Sequence, residues 1–304
     1  MRRLLLVANP SSSGFTGALH RDVVETLSAE FDVTPIWPLN PAATRQRALD
    51  AATDGFEVVV AMGGDGVVHH VANGLIGTGT ALGVVPAGTT NVVSRIHGAP
   101  RSARKAAAAL TTAKAAPTSV LLITTDSDVG ARSEYALFSV GIGFDADVVE
   151  VAEQRPESKL WFGSLHFARA AVGRVMGPYR RKSPDLMIEV MGDRVRALSL
   201  FVQVHHLYTY FGRLPMSFTS AETEGPAAVA VESLDPRLAA RIVGRVTMRR
   251  DLAKLPKVHR WTEFERVVAT ADSTAPFQAD GEHLGRAHSI AIEPVRDALL
   301  VLKT

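Results

Sequence analysis

Three glycines and one acid stand together directly after a run of β-branched residues. The valines at 58–60 lead into a turn that holds Gly63, Gly64, Asp65 and Gly66, and an apolar, helix-compatible stretch follows at 67–75. A strand, a glycine turn and a helix in this order let backbone N–H groups face an anion. Because a carboxylate repels a bare phosphate, Asp65 predicts a bridging Mg²⁺ or a hydroxyl group to be polarised. The alternative is a tight turn that binds no ligand.

A second turn of the same kind follows the next apolar stretch. Residues 82–85 predict a short buried strand, and residues 86–91 form a turn that includes Gly88, Thr89 and Asn91. The residues around Arg95 predict the helix that comes next. Two such turns, each after a buried strand, indicate two loops for phosphate or ribose on one parallel sheet.

The amino-terminal segment adds a polar loop to this pattern. Residues 4–8 are a continuous apolar run, typical of a buried parallel strand. The run ends in the sequence NPSSSG, where Asn9, Pro10 and Ser12 are candidates for contact with a nucleotide. A plain polar loop is the alternative for this segment.

Helix and strand patterns alternate through the first part of the chain. Helices are predicted at 17–31 and 42–53, with a strand at 32–37 between them. The alternation predicts an open, doubly wound parallel sheet, whose ligands bind at the carboxyl ends of its strands. An alanine-rich stretch at 101–116 predicts one more helix, which Pro117 closes.

After residue 118 the pattern changes to short β-like segments with few helices between them. The segments lie at 119–125, 136–140, 186–190, 196–204, 227–231, 267–271 and, at the end of the chain, 298–303. This pattern predicts a second, β-rich domain built mainly of antiparallel sheet.

The composition excludes several classes of protein. The 304 residues are 46% hydrophobic and 21% charged, as in an ordinary globular chain of one or two domains. The absence of cysteine excludes disulfides, thiolate zinc sites and cysteine nucleophiles. A formal charge of +2 does not indicate a nucleic-acid partner. No stretch of about 18 apolar residues predicts a spanning helix, so we expect a cytoplasmic protein with peripheral membrane contact.

A basic segment interrupts the β-like pattern at 155–182. It carries seven lysines and arginines against one acid, Glu157, and its core at 159–176 has a helical pattern. A basic helix with exposed aromatic residues suits the surface of an anionic membrane. An ordinary packing helix with a solvated face is the alternative.

Five motifs along the chain carry a resemblance to a known family. They are NPSSSG at 9–14, GGDGVVHHVANGL at 63–75, PAGTTNVVSR at 86–95, VGIGFDADVV at 140–149 and FQADGE at 277–282. In this order they resemble the catalytic domain of the diacylglycerol kinase, sphingosine kinase and ceramide kinase family, and most of all the soluble bacterial diacylglycerol kinases. The resemblance implies ATP-dependent phosphorylation of a lipid hydroxyl, diacylglycerol to phosphatidic acid being the first expectation. NAD kinases share the GGDG turn and the fold.

The resemblance also implies how the chain is divided. It predicts an α/β ATP-binding domain at 1–118, to which a carboxyl-terminal segment at about 294–304 returns. It predicts a β-rich lipid-substrate domain, a β-sandwich, at 119–293. The expected partners are a diacylglycerol-like lipid alcohol and an anionic membrane surface, with no nucleic acid. The sequence leaves the oligomeric state open, a homodimer being one option.

The resemblance assigns roles to particular residues. ATP and Mg²⁺ are the implied cofactors. The implied nucleotide-binding residues are Asn9, Pro10, Ser12, Gly63, Gly64, Asp65, Gly66, Gly88, Thr89 and Asn91. The implied catalytic residues are Asp65, Asp280 and Glu282, where one member of the Asp280–Glu282 pair acts as general base. Asp65 and Glu224 are the implied metal ligands. From the residues alone, Asp280-Gly281 predicts a hairpin turn, and both interpretations are compatible.

The chain departs from the family pattern at several acidic positions. His70 replaces a usual Glu, Val92 stands where the soluble bacterial enzymes often have Asp, and Leu121 lies near another usual Asp. The acidic network around the nucleotide is therefore thinner than in the family. This leaves three alternatives to diacylglycerol kinase activity: a catalytically impaired lipid- or nucleotide-binding protein, a kinase of sphingosine-like lipids, and an NAD kinase.

Overall fold

The computed structural model describes residues 1–126, 132–153, 164–211, 214–219, 225–248 and 250–303. The chain divides into two compact units, Met1–Val120 with Arg296–Thr304, and Leu121–Val295. It passes from one unit to the other inside two strands, Lys114–Asp126 and Glu282–Lys303.

The first unit is a parallel sheet with helices between its strands. The strands are β1 (Arg2–Ala8), β2 (Phe31–Ile36), β3 (Val58–Gly63) and β4 (Ala81–Pro86). They run parallel in the order β2, β1, β3, β4, and the end of the chain adds a parallel strand beside β4, where Val301 lies opposite Leu82. The helices are α1 (Gly17–Leu27), α2 (Pro41–Thr53), α3 (Asp65–Leu75), α4 (Val92–Ile96) and α5 (Ala103–Leu110).

Burial explains the continuous apolar runs of this sheet. Every residue of β3 and β4 is buried, as expected for parallel strands that are covered on both faces. One face packs against α1 and α5 in a single hydrophobic cluster that includes Leu4, Val60 and Leu110. The helices α2 and α3 contact β1 and β3 as well. Side-chain caps begin α1 and α2, where Thr16 and Asn40 accept backbone N–H bonds.

The helices α2 and α3 approach closely at Gly74. A Cβ atom added to Gly74 would lie 2.4 Å from the backbone oxygen of Arg45 and 2.8 Å from the Cβ atom of Ala48. The small residues therefore set the distance between the two helices. The larger apolar residues of α3, among them Val68, Val71 and Leu75, are buried.

The second unit is built mainly of antiparallel strands. They are β5 (Lys114–Asp126), β6 (Arg132–Ala136), β7 (Ser139–Gly143), β8 (Leu186–Val190), β9 (Asp193–Ala197), β10 (Ser199–Gln203), β11 (Thr209–Phe211), β12 (Leu214–Met216), β13 (Ala227–Val231), β14 (Val258–Thr262), β15 (Val267–Ala279) and β16 (Glu282–Lys303). The strand β15 takes part in two groups, because its first half pairs with β8 and its last residues pair with β7. One hydrophobic cluster joins residues of both groups, among them Ile142, Ile188 and Val267.

Within the described ranges, three helices and two short 3₁₀ turns complete this unit. The helices are α6 (Phe144–Glu153), α7 (Ser164–Met176) and α8 (Pro236–Thr247), and the turns are Pro178–Arg180 and Leu252–Lys254. The helix α8 begins at Asp235, whose carboxylate accepts the N–H groups of Arg237 and Leu238, each at 3.0 Å. Among the helices in the described ranges, none combines the length and apolar character needed to span a membrane.

The predicted fold class is confirmed, since a parallel sheet with helices is followed by a β-rich region. Several element boundaries were wrong. The helix predicted at 101–116 ends at Leu110, and Pro117 lies inside β5. The segment 196–204 belongs to two strands, β9 and β10, and 136–140 spans the turn between β6 and β7. The helices α6 and α8 were not predicted. Of the helix predicted at 159–176, residues 159–163 lie outside the described ranges.

The close approach at Gly74 predicts a large effect of one methyl group. We expect Gly74→Ala to lower the free energy of unfolding by about 1–3 kcal/mol, since the added Cβ atom meets the backbone of α2. Gly17→Ala is the matched control in the same unit, because its nearest neighbour is an arginine side-chain atom at 3.9 Å. Thermal and urea unfolding of both variants measures the difference. Equal stability of the two variants would show that the helices separate at little cost.

Candidate active site

Three loops of the first unit meet at one edge of its sheet. They follow β1, β3 and β4, which are neighbours in the sheet and end at the same edge. Backbone hydrogen bonds join them: Asn9 N–H donates to Met62 at 3.1 Å, and Gly14 N–H donates to Ala87 at 2.8 Å. Ala87 N–H in turn donates to the oxygen of Gly63 at 2.8 Å. The structure therefore brings together the three segments that the sequence predicts as nucleotide loops.

The loops after β3 and β4 touch through two glycines. A Cβ atom added to Gly88 would lie 2.5 Å from the Cα atom of Gly64 and 3.1 Å from its nitrogen. No residue with a side chain fits at Gly88 unless the backbone moves. Gly64 is the N-cap of α3 and has no side chain with which to cap the helix. The first N–H groups of α3, including that of Gly66, therefore lie at a helix start with no side-chain cap, the geometry that suits a phosphate.

Asn91 shapes the second of these loops. Its backbone is left-handed, with φ of 50°, and it forms the N-cap of α4. Its side chain closes the loop on itself, because Oδ1 accepts from Gly88 N–H at 3.0 Å and Nδ2 donates to the Gly88 oxygen at 2.7 Å. Thr89 at the tip of the loop is exposed, and its hydroxyl lies 3.3 Å from that of Ser13.

Asn9 shapes the loop after β1 through hydrogen bonds to the backbone of its own loop, as Asn91 does in the loop after β4. The side-chain oxygen of Asn9 accepts from Ser11 N–H at 2.9 Å, and the backbone oxygen of Asn9 accepts from Ser12 N–H at 3.1 Å. Pro10 is exposed between them. Asn9 therefore fixes a tight turn, and Ser12 faces β3, since its Oγ atom would lie 3.2 Å from a Cβ atom added to Gly63.

Asp65 links the two glycine loops. It lies in the first turn of α3, and its Oδ1 atom accepts the N–H group of Val93 at 3.1 Å, in the first turn of α4. A negative charge is favourable at the start of a helix. The carboxylate is half-buried, so part of it remains accessible at the loop edge.

The residues that could hold a metal are few in this unit. Within the described residues, there is no group of three or more His, Asp or Glu side chains that could hold a metal ion. Asp65 is the acid inside the two glycine loops. Mg²⁺ is often bound by one or two carboxylates together with substrate phosphates, so a single carboxylate at the loops is compatible with it. Glu224, the other predicted ligand, lies outside the described residues.

In the second unit, Asp280 and Gly281 form the two-residue turn between β15 and β16. Their φ angles are 54° and 84°, as in a type I′ hairpin, and Ala279 pairs with Glu282 across the turn. The predicted hairpin turn is therefore present. Glu282, the first residue of β16, is half-buried.

The carboxylate of Asp280 is buried and accepts hydrogen bonds from backbone N–H groups. Its Oδ2 atom accepts from Leu137 N–H at 2.7 Å, and its Oδ1 atom accepts from Phe138 and Ser139 N–H at 2.9 and 3.2 Å. Three donors thus meet one carboxylate on the turn between β6 and β7. This arrangement fixes the hairpin on a neighbouring strand connection, and it uses both oxygens of Asp280.

A polar network lies beside the same hairpin turn. Gln278 accepts from Gly281 N–H at 2.7 Å and donates to Oδ2 of Asp145 at 2.7 Å. The hydroxyl of Tyr208 donates to the same oxygen at 2.5 Å. Gly141 makes room for this carboxylate, because a Cβ atom there would lie 2.0 Å from Oδ2 of Asp145.

Burial changes the ionisation of this network. It raises the pKa of the Asp145 carboxyl, while the hydrogen bonds from Tyr208 and Gln278 act in the opposite direction. Burial and the neighbouring Asp145 charge raise the pKa of the Tyr208 hydroxyl well above its ordinary value. Tyr208 therefore stays a hydrogen-bond donor over the physiological pH range.

A second acid of the same motif makes a parallel contact. Asp147 accepts a hydrogen bond from the hydroxyl of Tyr179, which is almost fully buried. Burial and this carboxylate raise the pKa of Tyr179. The ring of Phe144 packs edge-on against Tyr179 at 5.1 Å between centroids.

The sequence motifs alone predicted no role for Asp145, Tyr208 or Gln278. The motifs VGIGFDADVV and FQADGE contain two of the three, but only the register of the sheet brings them together. In that register Gln278 lies opposite Gly141, four residues before Asp145. A glycine on each side of Ile142, followed by Phe144 and the acid Asp145, was the available signal.

An open groove of about 660 Å³ lies at the opposite edge of the first unit. Its lining includes Arg2, Glu57 and Lys114, near the amino ends of β1, β3 and β5. It is remote from the three loops, which lie at the carboxyl ends of the strands.

Known proteins are similar to part of this chain in sequence. Residues 3–123 match the model of the diacylglycerol kinase catalytic domain. A diacylglycerol kinase of Bacillus subtilis is 31% identical over 105 residues, which are 33% of this chain and 35% of that protein. A diacylglycerol kinase of Mycobacterium tuberculosis is 35% identical over 91 residues, which are 30% of this chain and 29% of that protein. The chain thus spans about a third of the length of these curated relatives.

Solved structures resemble the whole chain in fold. The crystal structure of a diacylglycerol kinase from Bacillus anthracis superposes with a TM-score of 0.70 and 17% identity, covering 100% of this chain and 97% of that one. A yeast NADH kinase complexed with NADH superposes with a TM-score of 0.52 and 12% identity, covering 100% of this chain and 84% of that one. At these identities the likeness shows the fold alone. The motifs agree with the family match, by which residues 3–123 of this chain are similar to the diacylglycerol kinase catalytic domain.

Proposed function

We propose that the protein is an ATP-dependent lipid kinase, which transfers the γ-phosphoryl group to a lipid hydroxyl. The observation that carries the proposal is the contact of Gly64 with Gly88 at the carboxyl edge of the parallel sheet. Both glycines lie within residues 3–123, which match the diacylglycerol kinase catalytic domain. Two glycine backbones in contact leave an open, side-chain-free surface beside the start of α3. This surface suits the phosphates of a nucleotide.

The residues of the loops fit a bound ATP molecule. Gly88 packs directly on the backbone of Gly64, so the two loops meet without a side chain between them. Gly63, Gly64 and Gly66 line one side, and the 86–91 loop lines the other. Asn9 and Asn91 hold their loops in shape through their own backbone contacts, and Ser12 and Thr89 present hydroxyl groups. Bound ATP with Mg²⁺ would supply the phosphoryl group and neutralise its charge.

Asp65 is the proposed ligand of Mg²⁺ in this unit. Its bond to Val93 N–H fixes the orientation of the carboxylate and keeps it between the two loops. Glu224 stays a proposed ligand on the resemblance alone.

Glu282 is the proposed general base, and Asp280 is proposed to hold the hairpin in position. Both oxygens of Asp280 accept backbone N–H groups, so this carboxylate is already used. Gln278 holds the turn by accepting from Gly281 N–H, and it donates in turn to the carboxylate of Asp145. Glu282 follows directly after this doubly supported turn, which would orient it toward a lipid hydroxyl.

Diacylglycerol is the proposed acceptor, with phosphatidic acid as product. The names of the relatives from Bacillus subtilis and Mycobacterium tuberculosis support this choice. We propose a cytoplasmic location with peripheral contact to an anionic membrane, because the acceptor resides in a bilayer.

A transfer screen tests the proposal directly. Radiolabelled ATP with Mg²⁺ is offered to diacylglycerol, a sphingosine-like amino alcohol and NAD in separate reactions. We expect label in phosphatidic acid. Label in phosphorylated NAD alone would identify an NAD kinase. Binding of ATP and lipid without transfer to any acceptor would identify a binding protein.

The first variant to test is Asp65→Asn. The amide oxygen can still accept from Val93 N–H, so we expect the unfolding temperature to stay unchanged. Loss of the charge should lower kcat by about 10²-fold, the usual size for a positioned catalytic group. Asp54→Asn, an exposed acid at the end of α2, is the matched control in the same unit. Turnover of Asp65→Asn within a few-fold of the wild type would remove Asp65 from the chemistry.

The second test separates the roles of Glu282 and Asp280. Glu282→Gln should abolish transfer to lipid while ATP affinity and unfolding temperature stay as in the wild type. Asp280→Asn should lower the free energy of unfolding by about 1–3 kcal/mol, because its amide group turns a donor toward one of three backbone N–H groups. Calorimetry, a transfer assay and thermal unfolding give the three readouts. A fully active Glu282→Gln variant would mean that the base lies elsewhere.

A further inference from the structure

A β-bulge separates the tip of the β15–β16 hairpin from the rest of its ladder. Phe277 lies opposite Gly285 and Gln278 lies opposite His283, so Leu284 is an extra residue on β16. Gly285 has a φ angle of 108°, in the region that favours glycine. Bulges bend a strand and change the direction of the side chains beyond them. The position of the tip is therefore not set by the regular ladder of β15 and β16 alone.

The side chain of Gln278 supports this tip from inside the second unit. Its Oε1 atom accepts from Gly281 N–H at 2.7 Å, in the turn itself. Because a backbone N–H group can only donate, this bond fixes which end of the amide faces the turn. The Nε2 atom donates to Oδ2 of Asp145 at 2.7 Å and to the hydroxyl of Tyr208 at 3.2 Å. We call Gln278, Asp145 and Tyr208 the Gln278 network.

The Gln278 network is buried and closed. Gln278 and Tyr208 are 2% and 5% exposed, and the Tyr208 hydroxyl donates to the same Oδ2 atom of Asp145 at 2.5 Å. Both donors and the oxygen of the Gln278 amide therefore have partners within one unit. Removal of one partner from such a network leaves a buried polar group without its hydrogen bond, which costs free energy.

The turn does not need this network for its conformation. Asp-Gly is a strong signal for a type I′ turn in its own right, and Asp280 and Gly281 have the matching positive φ angles. The network therefore acts on where the turn lies and not on which turn forms. Glu282 follows Gly281 directly, so a displacement of the turn also displaces Glu282.

We propose that Gln278, oriented by Asp145 and Tyr208, is a positioning residue for Glu282. The proposal rests on the role of general base that is proposed for Glu282. Gln278 acts through Gly281 N–H, so it orients Glu282 without a contact of its own with the substrate. A displacement of about 1 Å can cost about 10²-fold in rate, so a small shift of the turn is enough to lower turnover.

The first test is a double-mutant cycle that reverses the polarity of one hydrogen bond. Gln278→Glu still accepts from Gly281 N–H, but it sets a carboxylate against that of Asp145. We expect kcat for transfer to lipid to fall by about 10²-fold, while KM for ATP stays within a few-fold of the wild type. Asp145→Asn alone keeps an acceptor oxygen, so its kcat should fall less.

The double variant Gln278→Glu/Asp145→Asn should recover turnover. The amide introduced at position 145 can donate to the carboxylate introduced at position 278, which still accepts from Gly281 N–H. We therefore expect kcat within a few-fold of the wild type, although the double variant carries one substitution more than Gln278→Glu. A double variant as slow as Gln278→Glu would refute the positioning role of this hydrogen bond.

Gln203→Glu is the matched control for the same chemical change. Gln203 is also buried, and its Oε1 atom accepts from Phe218 N–H at 2.8 Å, while Nε2 donates to the backbone oxygen of His205 at 2.7 Å. These partners lie on the segment 205–219 and not on the hairpin turn. We expect a lower unfolding temperature with unchanged kcat. An equal loss of kcat in both glutamine variants would assign the effect to packing in general and overturn the proposal.

The second test observes the turn without any substrate. In protein with isotope-labelled glycine, NMR follows the exchange of the Gly281 amide hydrogen with solvent. We expect exchange about fivefold to tenfold faster in Gln278→Ala, because the N–H group loses its acceptor. The amide of Gly83, inside β4 of the first unit, should exchange as in the wild type. Unchanged exchange at Gly281 would show that the network does not hold the turn.

These readouts separate the proposal from the lipid kinase function. If Glu282→Gln is inactive and Gln278→Glu turns over like the wild type, the base stands and the positioning role is refuted. If the wild type transfers phosphate to no acceptor, the kinase function is refuted, and with it the positioning of a base. The exchange of the Gly281 amide still decides in that case whether the Gln278 network holds the turn.

Discussion

The contact between Gly64 and Gly88 is the constraint on which the first unit depends. The two Cα atoms can approach because Gly88 has no side chain, since a Cβ atom there would lie 2.5 Å from the Cα atom of Gly64. The same approach allows Ala87 N–H to donate to Gly63 and Asp65 to accept from Val93 N–H. It also places the start of α3 beside the loop after β4. A substitution at Gly88 would therefore disturb the sheet edge, the acid and the helix start together.

The fold of the first unit was predictable because its buried strands require apolar residues at consecutive positions of the chain, which the sequence shows directly. A strand covered on both faces needs an unbroken apolar run, and β3 and β4 each show one. The boundary errors have a physical cause as well. Alanine favours helix, but Lys114–Pro117 pair in a sheet, because the strand that continues through Leu121 and Ile123 fixes them there. The helix α8 was missed although Leu238, Ile242 and Val246 recur at helical spacing and Asp235 with Pro236 marks its start.

The candidate site in the second unit could be predicted only in part. The dipeptide Asp280-Gly281 carries its turn type in its own sequence. The hydrogen-bonding role of the Asp280 carboxylate could not be predicted from the sequence, because its three backbone donors lie more than 140 residues away in the chain. The same holds for Asp145 and Gln278, which are 133 residues apart and meet through the pairing of β7 with β15. Sequence patterns show which residues form a strand, whereas the register between distant strands decides which side chains meet.

At two positions where the resembling family often has an acid, this chain has a buried apolar residue. Val92 is buried at the start of α4, and Leu121 is fully buried in the core of the second unit. An unpaired carboxylate at either position would pay a desolvation penalty of several kcal/mol or require a partner. The thinner acidic network is therefore part of the packed fold and not an open gap in it. Within the glycine loops the negative charge is concentrated on Asp65. Asp65 is therefore the carboxylate within these loops that a metal ion could contact.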